Sequence, residues 1–307
     1  MAREHVIDPS IIHHDWDGDL EPVLEIDSGD TVHYDIMVAG DGQVWPGAAY
    51  AEARFDFDTI YNLSGPLRVN GAEPGDTLQV DVLDLRHGDW GWAAFLPGLG
   101  LLPDDFPHGY VRTFALKDGA AEFAPGITIA LAPFCGTMGN HPGGPGKLSP
   151  FPPHRGGGNI DNRHLTSGST LWLRVHVRGG LFWWGDPHAA QGDGEVCVTA
   201  LEAPLSGSLR FTLHKRGIAT PRFRVPAGGA AIRAGGYQAT MGLSPDLMEG
   251  SRIAVRAMIE WLTASRGLTP DDAYILCSIA GDLRIVEVVD AGVWNVAMTM
   301  PEAFFDD

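Results

Sequence analysis

Glycine and proline recur every few residues through most of this chain, and this spacing constrains the fold more than any other feature of the sequence. The 307 residues include 40 glycines and 22 prolines. Both residue types disfavour helix interiors and favour turns, so most apolar segments between them are too short to be helices. Short apolar segments bounded by turn residues are typical of β-strands. The sequence therefore predicts a mainly β fold with many short strands.

Several of these segments alternate apolar and polar residues, as a strand with one buried face does. Leucine and valine occupy alternate positions from Leu171 to Val177. Strand pairs are expected at residues 22–38, around a DSGD turn, and at residues 66–86, around an EPGD turn. A hairpin is expected at residues 194–215, and two further strands near the end of the chain, at 283–289 and 294–300.

Residues 244–267 are the one segment with a convincing helical pattern. Ser244 is a candidate N-cap with Pro245 at the first helical position, and Gly267 is a candidate stop. The apolar stripe expected for this helix is Ala254, Val255, Met258, Trp261 and Leu262. Residues 269–280 restart a helical pattern, in which Thr269 is the candidate cap. A small α/β part at the C-terminal end is therefore expected.

The chain divides into four parts by composition. Residues 1–133 form an N-terminal β region, 163–235 a central β region, and 236–307 the α/β part. Between them, residues 134–162 are rich in glycine and proline and almost without apolar periodicity. A loop of this length inside a compact chain is usually functional, so we expect it to be ordered and to cover a site.

The charge and the cysteines exclude several classes of protein. A net charge of −18 with only three lysines excludes a nucleic-acid partner and disfavours anionic membranes. No apolar run approaches the ~20 residues of a membrane helix. Cys135, Cys197 and Cys277 are far apart and form no CxxC motif, which argues against a disulfide scaffold or a zinc knuckle. The opening MAREHVIDPS has no apolar signal segment, so a cytoplasmic protein is expected.

The richest chemistry lies in LFWWGDPHAAQGDGEV, residues 181–196. In an extended backbone Asp186 and His188 share a face, and so do Asp193 and Glu195. Carboxylate and imidazole together are typical ligands of a catalytic divalent ion. The alternative is a polar turn whose carboxylates accept backbone N–H bonds. A second candidate segment, GGGNID, places Asn159 and Asp161 two residues apart behind three glycines.

A nucleophilic enzyme is less well supported. The chain contains no GxSxG segment, and Cys135 is more typical of an inert buried thiol than of an activated one.

In their order along the chain, these segments resemble the acetamidase/formamidase family. The motifs that carry the resemblance are GGNID at 157–161, GST at 168–170 and GDPHAAQGDGE at 185–195, preceded by GAEPGD at 71–76 and followed by DAYILCS at 272–278. The N-terminal segment at 13–32 also resembles the opening of that family. The match extends over nearly the whole chain.

The resemblance implies hydrolysis of a small aliphatic amide, of formamide or acetamide type, to ammonia and a carboxylate. It also implies a jelly-roll-like sandwich with barrel-like strands, an intracellular homo-oligomer, and a divalent metal, for which zinc is expected ahead of calcium. Two positions depart from the family pattern. Val38 stands where members often have an acidic residue, and Arg155 where some have glutamate.

The chemistry of these side chains suggests the role that each would have in the reaction. Asp186 and His188, assisted by Asp161, are the expected metal ligands. Glu195 is the expected general base, with Asp193 as a second catalytic candidate. The expected substrate contacts are Asn159 and Gln191.

Two other functions use the same residue types. One is an oxygenase or lyase with iron in a β-sandwich, held by two histidines and a carboxylate. The other is a non-enzymatic binding module with structural calcium.

Overall fold

The structure, a computed structural model, describes residues 2–101, 103–104, 106–124, 127–227, 236–270, 273, 281–290, 292–302 and 305. The described strands and helix are β1 Glu4–Val6, β2 Trp16–Asp17, β3 Leu24–Ile26, β4 Thr31–Ile36, β5 Leu63–Val69, β6 Thr77–His87, β7 Trp90–Phe95, β8 Tyr110–Lys117, β9 Ala120–Ala124, β10 Ile127–Ala130, β11 Phe134–Asn140, β12 Lys147–Leu148, β13 Gly157–Asn159, β14 Thr170–Arg174, β15 Phe182–Ala190, β16 Leu201–Glu202, β17 Leu205–His214, β18 Arg222–Val225, β19 Tyr237–Ser244, α1 Leu247–Arg266, β20 Asp282–Glu287 and β21 Trp294–Pro301. The predicted mainly β fold is confirmed.

Two large sheets contain most of the strands. In the first sheet the order is β1-β4-β17-β6-β14-β18-β19-β21-β20. In the second sheet it is β10-β9-β8-β7-β16-β15-β11-β13, and β5 joins this sheet between β15 and β3. In the described part of the chain, neither sheet closes on itself into a barrel. Both sheets combine strands from residues 1–133 with strands from residues 163–235.

The main core lies between the two sheets. Val80, Leu171 and Phe211 of the first sheet pack in one cluster with Met138 and Trp184 of the second, and all five are almost completely buried. The predicted alternation along β14 explains part of this cluster, because Leu171 and its neighbour two residues on face inward. The arrangement is a β-sandwich, as expected.

The C-terminal helix packs on the first sheet. Ala254, Met258 and Leu262 of α1 are buried against β19 and β21, so the predicted stripe faces the core. The helix ends at Gly267 in the left-handed region, φ 68°, as predicted. No helix in the part of the chain described here has both the length and the hydropathy needed to cross a membrane.

The predicted start of this helix was wrong by two residues. Asp246, not Ser244, is the N-cap, and its side chain accepts from the backbone N–H of Glu249 at 2.8 Å. Ser244 is instead the last residue of β19, where it pairs with Trp294 of β21. The second predicted helix, at 269–280, lies almost entirely outside the described residues.

Two other predictions differ from the structure. Residues 194–215 do not form a hairpin, because β16 pairs with β15 and β7 whereas β17 pairs with β4 and β6 of the other sheet. Pro204 has no N–H for a ladder bond, and the chain leaves the second sheet there. The expected loop at 134–162 begins with a strand: Phe134–Asn140 is buried throughout and pairs with β15 and β13. A strand buried on both faces has no polar alternation to reveal it.

Candidate active site

Strand β15 lies at the centre of the second sheet and carries the first two site residues. It pairs with β11 along most of its length, with β5 on its other side near Phe182, and with β16 near His188. Asp186 and His188 therefore lie on a strand that is fixed on both edges. Both side chains are buried, as expected for two residues facing the same interior space.

Three overlapping groups of acidic and histidine side chains lie at this point, and His188 belongs to two of them. Its Nε2 lies 3.3 Å from Asp186 Oδ1 and 3.2 Å from Glu202 Oε2, and its Nδ1 lies 3.8 Å from Asp161 Oδ1. Within each group, one possible ligand atom per residue lies within 4.8 Å of the others. The groups are Asp161–Asp186–His188, His188–Glu195–Glu202 and Asp161–Glu195–Asp290.

The other acidic residues reach this point from separate segments. Asp161 follows β13, and its backbone N–H bonds to the carbonyl of Gly136 at 3.1 Å. Glu202 comes from β16, directly beside β15. Asp290 follows β20 and donates its backbone N–H to Glu287 Oε1 at 2.6 Å. The cluster is thus assembled by sheet pairing and by the return of the chain near its end.

Neutral polar side chains orient the cluster. The hydroxyl of Tyr61 donates to Asp186 Oδ2 at 2.8 Å and also contacts Asn159 Oδ1. Thr137 Oγ1 lies 2.9 Å from the same hydroxyl and donates to Asn159 Oδ1 at 2.9 Å. Asn159 Nδ2 donates to Asp290 Oδ2 at 2.5 Å. One hydroxyl–amide network therefore links three of the four segments that supply carboxylates.

Burial is the largest cause of the altered protonation in this cluster. It raises the pKa values of Asp161, Glu195 and Asp290 well above the usual range for carboxyl groups, and repulsion between the neighbouring carboxylates raises them further. Burial alone would lower the pKa of His188, but attraction by Glu202 and Asp186 outweighs it and raises that pKa. Without a cation these carboxyl groups therefore favour their neutral forms, because the one imidazolium of His188 cannot balance all of them when ionised.

Two further observations fit a cation at this position. Among the described residues, no N–H group or hydroxyl donates to either buried carboxylate oxygen of Asp161, whose one hydrogen-bonding neighbour is another carboxyl group, that of Asp290. Gly136 of β11 leaves space beside them, because a Cβ atom there would lie 2.6 Å from Asp186 Oδ2 and closer still to Asp161 Oδ1. Carboxylate oxygens with one imidazole nitrogen form a donor set suited to a divalent ion.

A small cavity of about 80 Å³ opens beside the cluster. One half of its wall is polar and the other half is aromatic and aliphatic. The polar half consists of Tyr61, Asn159, Asp161, Asp186, Glu195, Thr199, Glu202 and Asp290. The apolar half consists of Ala39, Phe55, Phe57, Ile60, Trp92, Leu96, Leu99, Phe151 and Val198. The glycine- and proline-rich segment at 134–162 contributes Phe151 to the apolar half of this wall, and Asn159 and Asp161 to the polar half.

Five of the seven residues singled out in the sequence meet at this cavity or in its cluster. They are Asn159, Asp161, Asp186, His188 and Glu195. The other two lie beside it and line a neighbouring cavity of about 370 Å³. Gln191 donates Nε2 to the backbone carbonyl of Asp161 at 2.7 Å, so it supports a cluster residue instead of facing the cavity.

Asp193 points away from the cluster, in contrast to its expected catalytic position. Its carboxylate lies 3.2 Å from His164 Nε2 and 3.8 Å from Arg284 Nη1. Strand β15 ends at Ala190, and the period-two rule that paired Asp193 with Glu195 does not apply to the turn that follows. Burial opposes ionisation of Asp193, but the hydrogen bond and charge of His164 outweigh it and lower its pKa.

Sequence reasoning missed Tyr61, Thr137, Glu202 and Asp290. The signal for Thr137 was a polar residue inside a segment with little other polarity; the other three had no local signal.

The two departures from the family pattern do not line the cavity. The carbonyl of Val38 accepts from Asn62 Nδ2 at 2.8 Å, and Arg155 Nε donates to the carbonyl of Pro142 at 2.8 Å.

His188 is the single imidazole in the three groups found among the described residues. The iron oxygenase or lyase alternative needs two histidines with a carboxylate, so this donor set does not favour it.

Comparisons with known proteins agree with one another. The model of the Acetamidase/Formamidase family matches residues 2–145 and 148–307. A formamidase of Methylophilus methylotrophus is 30% identical over 275 residues, which cover 69% of this chain and 68% of that protein. The crystal structure of an acetamidase from Bacillus halodurans superimposes with a TM-score of 0.88 at 25% identity, covering 98% of both chains. That of an acetamidase from Yersinia enterocolitica has a TM-score of 0.86 at 27% identity, covering 100% of this chain and 94% of the other.

Proposed function

This chain belongs to the acetamidase/formamidase family and is a hydrolase of amide C–N bonds, and from that premise we propose that its substrates are short aliphatic amides such as formamide and acetamide. Water adds to the amide carbonyl, the C–N bond breaks, and a carboxylate and ammonia leave. The size of the cavity carries the proposal. At about 80 Å³ it is far below the ~300–1,000 Å³ of pockets that hold larger ligands.

The division of the cavity wall supports the same substrate class. An amide has a polar head and, beyond formamide, a short apolar tail. The polar head is placed against Asn159 and the carboxylates, and the tail against the apolar side formed by residues such as Ile60 and Trp92. A peptide would need an open groove on both sides of the scissile bond.

We propose that a divalent cation, zinc, is held by Asp161, Asp186 and His188. The buried oxygens of Asp161, to which no N–H group or hydroxyl of the described residues donates, and the space beside Gly136 support this assignment. Such an ion supplies Lewis acidity toward an amide carbonyl and toward water. Glu202 and Asp290 surround this group and add negative charge that favours a cation.

Glu195 is proposed as the residue that moves protons. It lines the cavity, is buried, and belongs to two of the three acidic groups. It accepts a proton from the attacking water and returns it to the departing nitrogen. Its raised pKa, caused first by burial and then by the charge of Asp161, suits a group that must be protonated during part of the cycle. Asn159 is proposed to hold the substrate amide, whereas Gln191 and Asp193 support the site from outside the cavity.

Ammonia release from formamide, acetamide, propionamide and a dipeptide amide tests the substrate class. We expect release from the short amides and none from the dipeptide amide. Metal analysis of protein purified without added metal tests the cation, and Asp186→Asn and His188→Ala should both lose it while keeping the folded circular dichroism spectrum. Absence of ammonia from every amide would refute the proposed substrates, and full metal content in both variants would refute the proposed ligands.

We also propose a homo-oligomer in a reducing compartment such as the cytoplasm. Cys135 and Cys197 are both free thiols, which suits a reducing environment. Sedimentation velocity of the purified protein measures the number of subunits, and a monomer at all concentrations would contradict an oligomer.

A further inference from the structure

A second cavity, of about 310 Å³, lies between helix α1 and the first sheet. Trp172 of β14 and Arg222 of β18 form part of its wall, and Trp261 of α1 forms another part. Within the described ranges, it shares no lining residue with the cavity beside His188. Nothing in the proposed amide hydrolysis uses it.

Arg222 has no charged partner in this cavity. Its Nε atom is buried without a hydrogen-bond acceptor, and within the described part of the chain no Asp or Glu forms an ion pair with its guanidinium. Burial lowers the pKa of Arg222, and no carboxylate offsets that effect. Arg222 is half-buried, and a partly desolvated cation of this kind gains from an anionic partner.

The contacts that Arg222 does make leave its charge available. Its guanidinium lies 4.6 Å from the centre of the Trp172 ring. This attractive cation–π contact fixes the plane of the guanidinium group. Arg216 and His214 also line the cavity, and among the residues that the structure describes Glu260 on α1 is the one acidic lining residue. In a protein with a net charge of −18, this local excess of basic groups is unusual.

We propose that this cavity binds a carboxylate that carries an aromatic ring or a short apolar chain. The planar guanidinium of Arg222 matches a carboxylate through two parallel N–H···O bonds. The indoles of Trp172 and Trp261 provide apolar wall for the remainder of the ligand. The volume exceeds what formate or acetate would fill, so the ligand is not the product of the proposed reaction.

Isothermal titration calorimetry with benzoate tests the proposal, with benzyl alcohol as the neutral probe of similar shape. We expect benzoate to bind the wild-type protein and benzyl alcohol to bind much more weakly. Arg222→Gln should weaken benzoate binding by about tenfold or more, because a buried charged hydrogen bond is lost. Glu260→Gln is the matched control on the opposite wall, and it should bind benzoate at least as tightly as the wild type.

Several results would overturn this inference. They are no benzoate binding to the wild type, equal binding of benzyl alcohol, or unchanged benzoate affinity in Arg222→Gln. If Arg222→Gln does not fold, Arg222→Lys decides the question. Lysine keeps the positive charge but cannot form the bidentate hydrogen bonds of a guanidinium, so this variant should bind benzoate less tightly than the wild type. Formamide hydrolysis, measured in the same variants, should stay near the wild-type rate, which separates this site from the catalytic cavity.

Discussion

The hydroxyl of Tyr61 and the carboxylate of Asp186 are joined by a hydrogen bond of 2.8 Å, although they belong to different segments of the chain. This bond fixes one Asp186 oxygen and leaves the other directed toward His188. Hydrogen bonds of this kind orient metal-binding carboxylates and are costly to remove.

Tyr61→Phe should therefore reduce activity without unfolding the protein. The ring still packs against Phe151, whose centroid is 5.3 Å away, so stability should change little. We expect kcat/KM for formamide and metal affinity to fall by about 10–100-fold. Steady-state kinetics and metal titration measure both, and a variant with wild-type values in both would show that the bond is dispensable.

Glu195→Gln should lower kcat by about 10²–10⁴-fold while leaving the metal content unchanged, because it removes a proton-transfer group but keeps its shape. Asp193→Asn is the matched control, since Asp193 lies in the same segment but pairs with His164. It should keep most of the wild-type kcat. Loss of metal from Glu195→Gln would instead assign Glu195 as a ligand.

Gly136→Ala should abolish metal binding and activity. The added Cβ would enter the space between Asp161 and Asp186, where less than a normal van der Waals distance is available. Gly192→Ala serves as the control, because no atom of the described residues lies within 4 Å of its added Cβ. Metal analysis and ammonia release should separate the two variants clearly, and equal metal content in both would show that the ion lies elsewhere.

Ile60→Ala should shift the substrate preference toward longer amides. The substitution enlarges the apolar half of the cavity, and each methylene in such a pocket is worth about 10–200-fold in kcat/KM. The ratio of kcat/KM for butyramide to that for acetamide should rise accordingly. Leu99→Ala, at a cavity residue that is 39% exposed, should change this ratio much less. An unchanged ratio in Ile60→Ala would place the acyl chain elsewhere.

Asp30 should contribute to stability at neutral pH but not in strong acid. Its burial opposes ionisation, but bonds from the backbone N–H groups of Asp27 and Arg3 and from His5 outweigh that effect and lower its pKa from 3.8 to about 2. Because the folded-state pKa is the lower one, the stabilisation is complete above pH 4 and is lost as the pH falls toward 2.

Asp30→Asn should thus lower the free energy of unfolding by about 1–3 kcal/mol at pH 7. The difference from wild type should shrink steadily in urea titrations between pH 4 and pH 2. Asp27→Asn is the control in the same turn, because the Asp27 side chain is 57% exposed. A difference that is independent of pH would show that Asp30 acts through packing and not through its charge.

The sequence predicted well what depends on local spacing. Asp186 and His188 were correctly placed together because both lie within one strand, where alternate residues share a face. The end of α1 at Gly267 was also predicted from a local signal, because a glycine in the left-handed region commonly ends a helix. The start was missed because Ser244 and Asp246 are both good caps, and pairing of Ser244 with β21 decides between them.

What depends on long-range pairing could not be predicted from these patterns. Glu202 joins His188 only because β16 pairs with β15, and Asp290 arrives only because the chain returns after β20. Asp193 shows the opposite error, in which a local rule was extended past the end of its strand. Residues 134–140 were assigned to a loop because this strand is buried on both faces and so shows no alternation of polar and apolar residues.

The cluster around His188 draws its side chains from segments that run from β13 to the turn after β20. A chain truncated before Asp290 would lack one of its carboxylates, and a chain with β16 displaced from β15 would lack another. If the proposed assignment of this cluster holds, the specific activity of a preparation measures the fraction of chains in which β16 pairs with β15 and the segment after β20 is in place. Bulk spectroscopic measures of β structure do not distinguish such chains from chains that lack these contacts.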